Sequence, residues 1–384
     1  MEPVGDGFIG SFPSAFESDD AVIPFRKFAE VRPRSHTYDI SRDLRLYSSL
    51  EQLERGCQRK IKRAKRQQNS QKAMLRFLPN GETTIKYSQL KQSPEDVIKE
   101  KKLGPYRIGV AAYKGLRDSM EDTFYYGKIK WGKNKGLLAC VFDGHGGTEA
   151  SLFLKKNASL YINEALQIYS LDHSTPLTIA RAIQSACIKL DDEISGECGA
   201  TAVIALIFGK KVYFANVGDS RGIICRKDEI IQATVDAKLM PLPCDLKQLA
   251  GIEYKYTRGV LKRGGRIKHE GPDSPRVTNG RASLNMGRAF GDGHFTRNGI
   301  KFVVARPEIT YFSLEDDDLI ILASDGLWDV ASTDEAGEYA RELVEKNLSL
   351  KKTAAHLSYG ALVGDRISTF SQDNTTTLVI RTRF

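Results

Sequence analysis

The chain has 384 residues, of which 41% are hydrophobic and 9% aromatic, and a formal net charge of +9. That length allows one large domain with an appendage, or two domains, and the composition is that of a globular protein with a substantial core. No window approaches the roughly 18 consecutive apolar residues of a membrane-crossing helix, and the acidic opening "MEPVGDGFIGSFPSAFESDD" has neither a secretory nor an Arg-rich transit pattern.

Six cysteines are scattered at 57, 140, 187, 198, 225 and 244, with no CxxC spacing. This predicts a reducing compartment, cytoplasmic or nuclear, with neither a disulfide framework nor structural zinc. Residues 1–104 carry 20 Lys/Arg against 14 Asp/Glu. They are expected to form a mainly helical N-terminal extension, with little regular structure over 1–38. Leu46, Leu50, Leu53, Cys57 and Ile61 fall at helical spacing and predict one amphipathic helix over about 41–77 with a basic exterior. Its block "RKIKRAKR" (59–66) suits an anionic partner or a targeting receptor, although the solvated face of a helix explains the same residues. "FLPNGETTIKY" (77–87) reads as a short hairpin turning at Asn80-Gly81.

From residue 105 the composition becomes strand-rich. Apolar runs at 106–113, 123–131, 136–142, 199–208, 211–218, 221–227, 301–306, 308–314, 318–324 and 375–382 predict strands. Neighbours joined by two residues ("GK", "DS") are expected to be antiparallel hairpins. Helical patterns fall at about 148–168, 176–195, 334–346 and 351–366. The fold class expected for 105–384 is α+β, two packed antiparallel sheets flanked by helices in an αββα sandwich.

Three of these runs end in an acid: "LLACVFDG" at Asp143, "VYFANVGD" at Asp219 and "LIILASDG" at Asp325. Two begin with one: "SMEDTFYY" at Glu121 and Asp122, and "QDNTTTLVI" at Asp373. The end of one antiparallel strand lies beside the start of its neighbour, so one sheet edge would gather at least five carboxylates. Such a crowd needs a compensating charge. Oxygen-only ligation selects the hard ions Mg2+, Mn2+ or Ca2+, and several acids suggest a two-ion centre of the kind that hydrolyses phosphoryl groups. Each Asp-Gly alone is better explained as a turn; their number at one edge favours ligation.

"GLRDSMED" (115–122), "VFDGHGG" (141–147), "GATAV" (199–203), "ANVGDSRG" (215–222), "LNMGRAFGD" (284–292), "ILASDGLWDV" (321–330) and "QDNTTTLVI" (372–380) appear in that order. Together they resemble the metal-dependent (type 2C) serine/threonine protein phosphatases over roughly 105–384. The resemblance implies a β-sandwich flanked by helices, a centre of two Mn2+ or Mg2+ ions at one edge, and phosphorylated proteins as substrates. By position, Asp143 would bridge the ions and the Gly144 carbonyl would bind one of them. Asp325 and Asp373 match ligands of the second ion. Glu121 matches an acid that contacts the ions or their waters, with Asp122 beside it. Asp219 and Asp329, with Asp325, match a weaker third-metal site, and Asp292 a supporting position.

Residue chemistry supplies two further roles. Arg117 offers a planar donor fork for a phosphate dianion, and His145 could protonate the departing seryl or threonyl oxygen. The resemblance implies that water then attacks phosphorus directly; the one Cys-x5-Arg spacing, Cys57 to Arg63, runs into the basic block outside the resembling residues. Over 226–283 the resemblance weakens: many members have an Asp-His-Lys-Pro run where this chain has "VDAKLMPLPCD" (235–245). The rival from another class is a catalytically silent scaffold that binds partners through the fold. Nucleic-acid binding through residues 59–66 would coexist with catalysis, but no RNP-type motif, zinc finger or basic zipper accompanies the block.

Overall fold

The structure, a computed structural model, describes residues 10–11, 93–169, 176–242, 249–269, 275–364 and 370–383. The helix expected over 41–77, its basic block at 59–66 and the hairpin expected at 77–87 lie outside the described residues. The described chain opens with strands β1 (Gly10–Ser11), β2 (Val97–Leu103), β3 (Tyr106–Tyr113), β4 (Thr123–Trp131) and β5 (Asn134–His145). Helices α1 (Glu149–Tyr169) and α2 (Pro176–Glu193) follow. Then come β6 (Gly199–Phe208), β7 (Lys211–Val217), β8 (Arg221–Cys225) and β9 (Ile230–Gln232). Short elements succeed them: α3 (Lys255–Lys262), β10 (Arg266–His269), β11 (Pro275–Thr278), β12 (Ser283–Leu284), β13 (Phe290–Gly291), β14 (Thr296–Arg297) and β15 (Ile300–Lys301). The last described elements are β16 (Glu308–Ser313), β17 (Leu319–Ala323), α4 (Asp325–Trp328), α5 (Thr333–Glu345), α6 (Leu350–Val363) and β18 (Thr375–Thr382).

Among the described residues two large antiparallel sheets form, beside the small β10-β11-β12 and β14-β15 sheets. One runs β1-β16-β7-β6-β5-β4, with β13 on β6, and the other runs β2-β3-β18-β17-β8-β9. Strand β2 lies before the expected domain start at residue 105, and pairs with β3 from Val97↔Ala112 to Leu103↔Tyr106.

Side chains alternate across a strand, and here both faces of the central strands are covered. Leu138, Cys140 and Phe142 of β5 point into a core with α1 and α2, while Leu137, Ala139 and Val141 point between the sheets. Strand β17 repeats the pattern: Ile320 and Leu322 face the other sheet, and Leu319, Ile321 and Ala323 face α4, α5 and α6. A strand buried on both faces reads as a continuous apolar run, which is why "LLACVF" and "LIILA" show no alternation in the sequence. The expected αββα layering is the one observed.

Two expectations are corrected. Strands β7 and β8 form no hairpin, because Gly218–Ser220 carry the chain from one sheet to the other. Gly218 sits at φ 107°, and a Cβ there would lie 2.5 Å from Cβ of Thr201, so the crossing requires glycine. The strand expected over 301–306 shrinks to Ile300–Lys301, paired with β14. Phe302, Val303 and Ala305 are buried without a ladder, and Pro307 follows with no N–H to donate. Burial alone made that run apolar. All four described cysteines (140, 187, 198 and 225) are buried free thiols. Among the described residues no helix is long and apolar enough to cross a membrane.

Helix α6 approaches β3 very closely at Gly109, where an added Cβ would meet the backbone carbon of Leu350 at 2.0 Å. A methyl group there must push helix from sheet. Gly109→Ala is therefore expected to destabilise the protein by about 1–3 kcal/mol, read as a lower denaturant midpoint in equilibrium unfolding. An unchanged midpoint would contradict the close packing.

Candidate metal centre and active site

Strand ends assemble the site. Strand β4 begins at Thr123 opposite Phe142 near the end of β5, so Asp122 and Asp143 meet at one edge. In the other sheet β17 ends at Ala323 opposite Thr377 near the start of β18, which brings Asp325 beside Asp373. Asp219 sits in the crossing between the sheets, and its charge also reaches Asp143. Asp329 lies one turn beyond Asp325, its N–H donating to the Asp325 carbonyl at 2.8 Å.

Neighbouring polar groups hold this edge in place. Ser324 Oγ donates to Asp122 Oδ2 at 2.8 Å and accepts from the Thr376 N–H at 3.0 Å, tying the sheets together. Asn374 Oδ1 accepts from the Glu121 N–H at 2.7 Å, and its Nδ2 donates to the carbonyls of Lys114 and Ser119. That single side chain shapes the loop carrying Arg117 and Glu121. At Gly144 a Cβ would stand 2.5 Å from the Glu121 carbonyl oxygen. Only glycine lets the two acidic segments approach so closely.

The electrostatics record the crowding. Burial, then the charges of Asp325, Asp122, Asp219 and Asp373, raise the Asp143 pKa well above the usual carboxylate range. Burial, Asp219, Asp329 and Asp373 do the same for Asp325, against the opposing charge of Lys238. Burial pushes Asp122 up to about 7 despite the Ser324 hydrogen bond. It pushes Asp219 up to about 6, with Lys238 opposing and Asp329 adding.

The other expected residues are placed as follows. Arg117 is exposed, with Nη2 2.5 Å from Asp373 Oδ2. Glu121 accepts from Ser119 Oγ at 3.0 Å and from the Gly147 N–H at 3.3 Å, so its carboxylate turns toward the His145 loop. His145 Nε2 lies 3.0 and 2.9 Å from the two oxygens of Asp292. Asp292 is fully buried and held at φ 54°. A Cβ at Gly199 would fall 2.3 Å from His145 Nε2 and 2.4 Å from Asp292 Oδ2, so the glycine of "GATAV" makes room for this pair. Burial alone would lower the His145 pKa, but the hydrogen bond and charge of Asp292 outweigh it and raise it.

Sequence reasoning missed the roles of Ser324 and Asn374, although both lie inside motifs it quoted. It also missed the role of Lys238, which lies inside the quoted run "VDAKLMPLPCD" (235–245). The Lys238 ammonium is 2.5 Å from Asp329 Oδ1 and 4.0 Å from Asp219 Oδ2. Nothing in "VDAKLMP" signals that a lysine there faces carboxylates remote in the chain.

As placed, no three His, Cys, Asp or Glu side chains among the described residues form a metal-holding group. Asp122 rests on Ser324, Asp373 on Arg117 and Asp329 on Lys238. The donor set nevertheless fits hard cations: it offers carboxylates and a carbonyl. Two buried oxygens, Asp122 Oδ1 and Asp219 Oδ1, have no hydrogen-bond partner. A buried, unsatisfied carboxylate oxygen is costly, and a cation is the species that satisfies several at once.

A profile of the family described as "Protein phosphatase 2C" matches residues 106–239 and 263–365. "Probable protein phosphatase 2C 59" of Oryza sativa subsp. japonica is 32% identical over 281 residues, covering 72% of this chain and 76% of the relative. "Protein phosphatase 1L" of Bos taurus is 29% identical over 288 residues, covering 72% and 73%. Among solved structures, the fold is similar to a serine-threonine phosphatase 2C from Toxoplasma gondii, with a TM-score of 0.61, 19% identity and coverage of 76% of this chain and 100% of that one.

Crowding makes its own prediction. The folded-state pKa of Asp219 is raised from 3.8 to about 6, so its contribution to stability is fully present below pH about 3.8 and is lost as pH rises through about 6. Asp219→Asn should therefore stabilise the chelator-treated protein by on the order of 2–3 kcal/mol near pH 8, and hardly at all near pH 4. Urea unfolding at the two pH values reads this directly; equal effects at both would contradict it.

Proposed function

This chain belongs to the protein phosphatase 2C family of serine/threonine protein phosphatases, and we propose that it hydrolyses phosphoserine and phosphothreonine in proteins at a centre of two Mn2+ or Mg2+ ions. The observation that supports this reading is the convergence of Asp122, Asp143, Asp219, Asp325 and Asp373 on one edge, where the charge of Asp373 acts on Asp122, Asp143 and Asp325, and that of Asp219 on Asp143 and Asp325. Asp143, the Gly144 carbonyl, Asp325 and Asp373 would hold the ions, and Glu121 and Asp122 would hold the ions or their waters. When bound, the ions orient and activate a water and offset charge on the phosphoryl oxygens.

The chain's own residues do the rest. A guanidinium has five N–H donors, and only Nη2 of Arg117 is on Asp373, so the fork can take two phosphoryl oxygens while staying anchored beside the centre. This orients phosphorus with its seryl or threonyl oxygen toward His145. Water oxygen bonds to phosphorus as the bond to that alkyl oxygen breaks. With Nε2 of His145 on Asp292, the proton that neutralises the departing oxygen is the one on Nδ1. Hydroxyl product and inorganic phosphate leave, and no phospho-enzyme forms.

Turnover of a phosphoserine or phosphothreonine peptide should require added Mn2+ or Mg2+ and stop with chelator. Asp143→Asn should lower kcat at least about 10³-fold, since a metal centre supplies several kcal/mol of transition-state stabilisation. A silent scaffold would show no turnover with or without metal, and full metal-dependent activity in Asp143→Asn would refute the site.

The proton-donor role separates by leaving group. His145→Ala should slow a phosphoserine peptide by about 10²-fold or more, but should scarcely affect p-nitrophenyl phosphate, whose departing phenolate needs no proton. Equal losses on both substrates would remove His145 from that role.

A further inference from the structure

Lys238, next to the last residue of the first stretch that matches the family profile, delivers a cation into the acidic edge. Backbone hydrogen bonds fix its segment on both sides: the Ala237 N–H donates to the Gly218 carbonyl at 2.7 Å, the Gly287 N–H to Ala237 at 2.9 Å and the Leu239 N–H to Asn285 at 2.9 Å. Lys238 itself bridges to Met286. One end of this arrangement is therefore tied to the residue immediately before Asp219. Its other strand supplies Asn285, whose Nδ2 is 3.4 Å from Asp219 Oδ2.

From that position the Lys238 ammonium faces three carboxylates. It is 2.5 Å from Asp329 Oδ1 and 4.0 Å from Asp219 Oδ2, and its charge also acts on Asp325. An ordinary surface ion pair contributes little and has no fixed geometry. This one differs because Asp219 is fully buried and its Oδ1 has no hydrogen-bond partner.

We infer that the Lys238 ammonium is a built-in counter-ion for the Asp219, Asp325 and Asp329 carboxylates, and that a third divalent ion binds there only by displacing it. An ammonium within 4.0 Å of Asp219 and 2.5 Å of Asp329 occupies the space and the lone pairs that a divalent ion would use, and two cations there would repel. Exclusion is graded rather than absolute. The lysine side chain is 38% exposed, and its flexible four-carbon stem lets the strongly hydrated head swing into solvent. Affinity for an ion at this position is then set by a residue outside the carboxylates themselves.

This rests on the two-metal reading, and the test separates the two. Mn2+ bound per full-length chain is measured by equilibrium dialysis for the native protein, Lys238→Met and Lys238→Arg. Lys238→Met should bind an additional ion with a Kd at least tenfold lower than the native chain shows for it, while Lys238→Arg, which keeps the charge, should not. Two ions in all three proteins, with unchanged affinity for a third, would overturn the lysine assignment and leave the two-metal centre standing. No Mn2+ binding by any of them would overturn both. Thermal unfolding adds a second readout. In chelator, Lys238→Met should melt below the native chain, and saturating Mn2+ should close the gap; equal melting in chelator would count against the counter-ion. Should Lys238→Met fail to fold, Lys238→Gln serves in both measurements.

Discussion

Like charges repel most strongly where water is scarce, and this fold places five carboxylates in such a place. Asp122 and Asp219 are buried, and Asp143, Asp325 and Asp373 line the partly covered rim beside them. A flexible chain would relax by moving them apart. Here it does not, because each acid is attached to the end of a strand packed on both faces, between the inter-sheet core and a helix layer. The apolar burial of whole strands outweighs the repulsion at their tips. That imbalance is what makes the edge a candidate cation site rather than a run of turns.

Around the acids, small and polar residues decide the fine geometry. Gly144 and Gly199 remove side chains where acidic segments, or the His145–Asp292 pair, must nearly touch. Ser324 links the two sheets through Asp122 and Thr376. Asn374 holds the Arg117–Glu121 loop by three hydrogen bonds. Each of these residues fixes where an acid, Arg117 or His145 stands. Lys238 belongs with them as a neighbour that sets the charge the site presents.

Much of the fold was legible because it depends on local pattern. Continuous apolar runs marked the doubly covered strands, and helical spacing located α1, α2, α5 and α6 to within a few residues. Failures came where one local pattern served two global outcomes. The short link between β7 and β8 was consistent with a hairpin, but the chain uses Gly218–Ser220 to change sheets at a positive-φ glycine. The run 301–306 was apolar because it is buried beside the short elements around α3, not because it joins a ladder. Between 226 and 283 the sequence pattern weakened, and the structure shows that residues there such as Leu239, Tyr256, Ile267 and Val277 build a satellite core.

The sequence by itself determined which residues end the strands. An acid at the close of one apolar run and at the start of another must share an edge once the runs pair antiparallel, and that follows from strand geometry alone. Which oxygen is left without a partner, which histidine nitrogen Asp292 takes, and which lysine faces the acids were decided only by tertiary structure. Those contacts join residues as far apart as Ser324 and Asp122, or Lys238 and Asp329, and no local period connects them. Their distances are set by how two sheets and a crossing loop pack in three dimensions, which no short stretch of chain encodes.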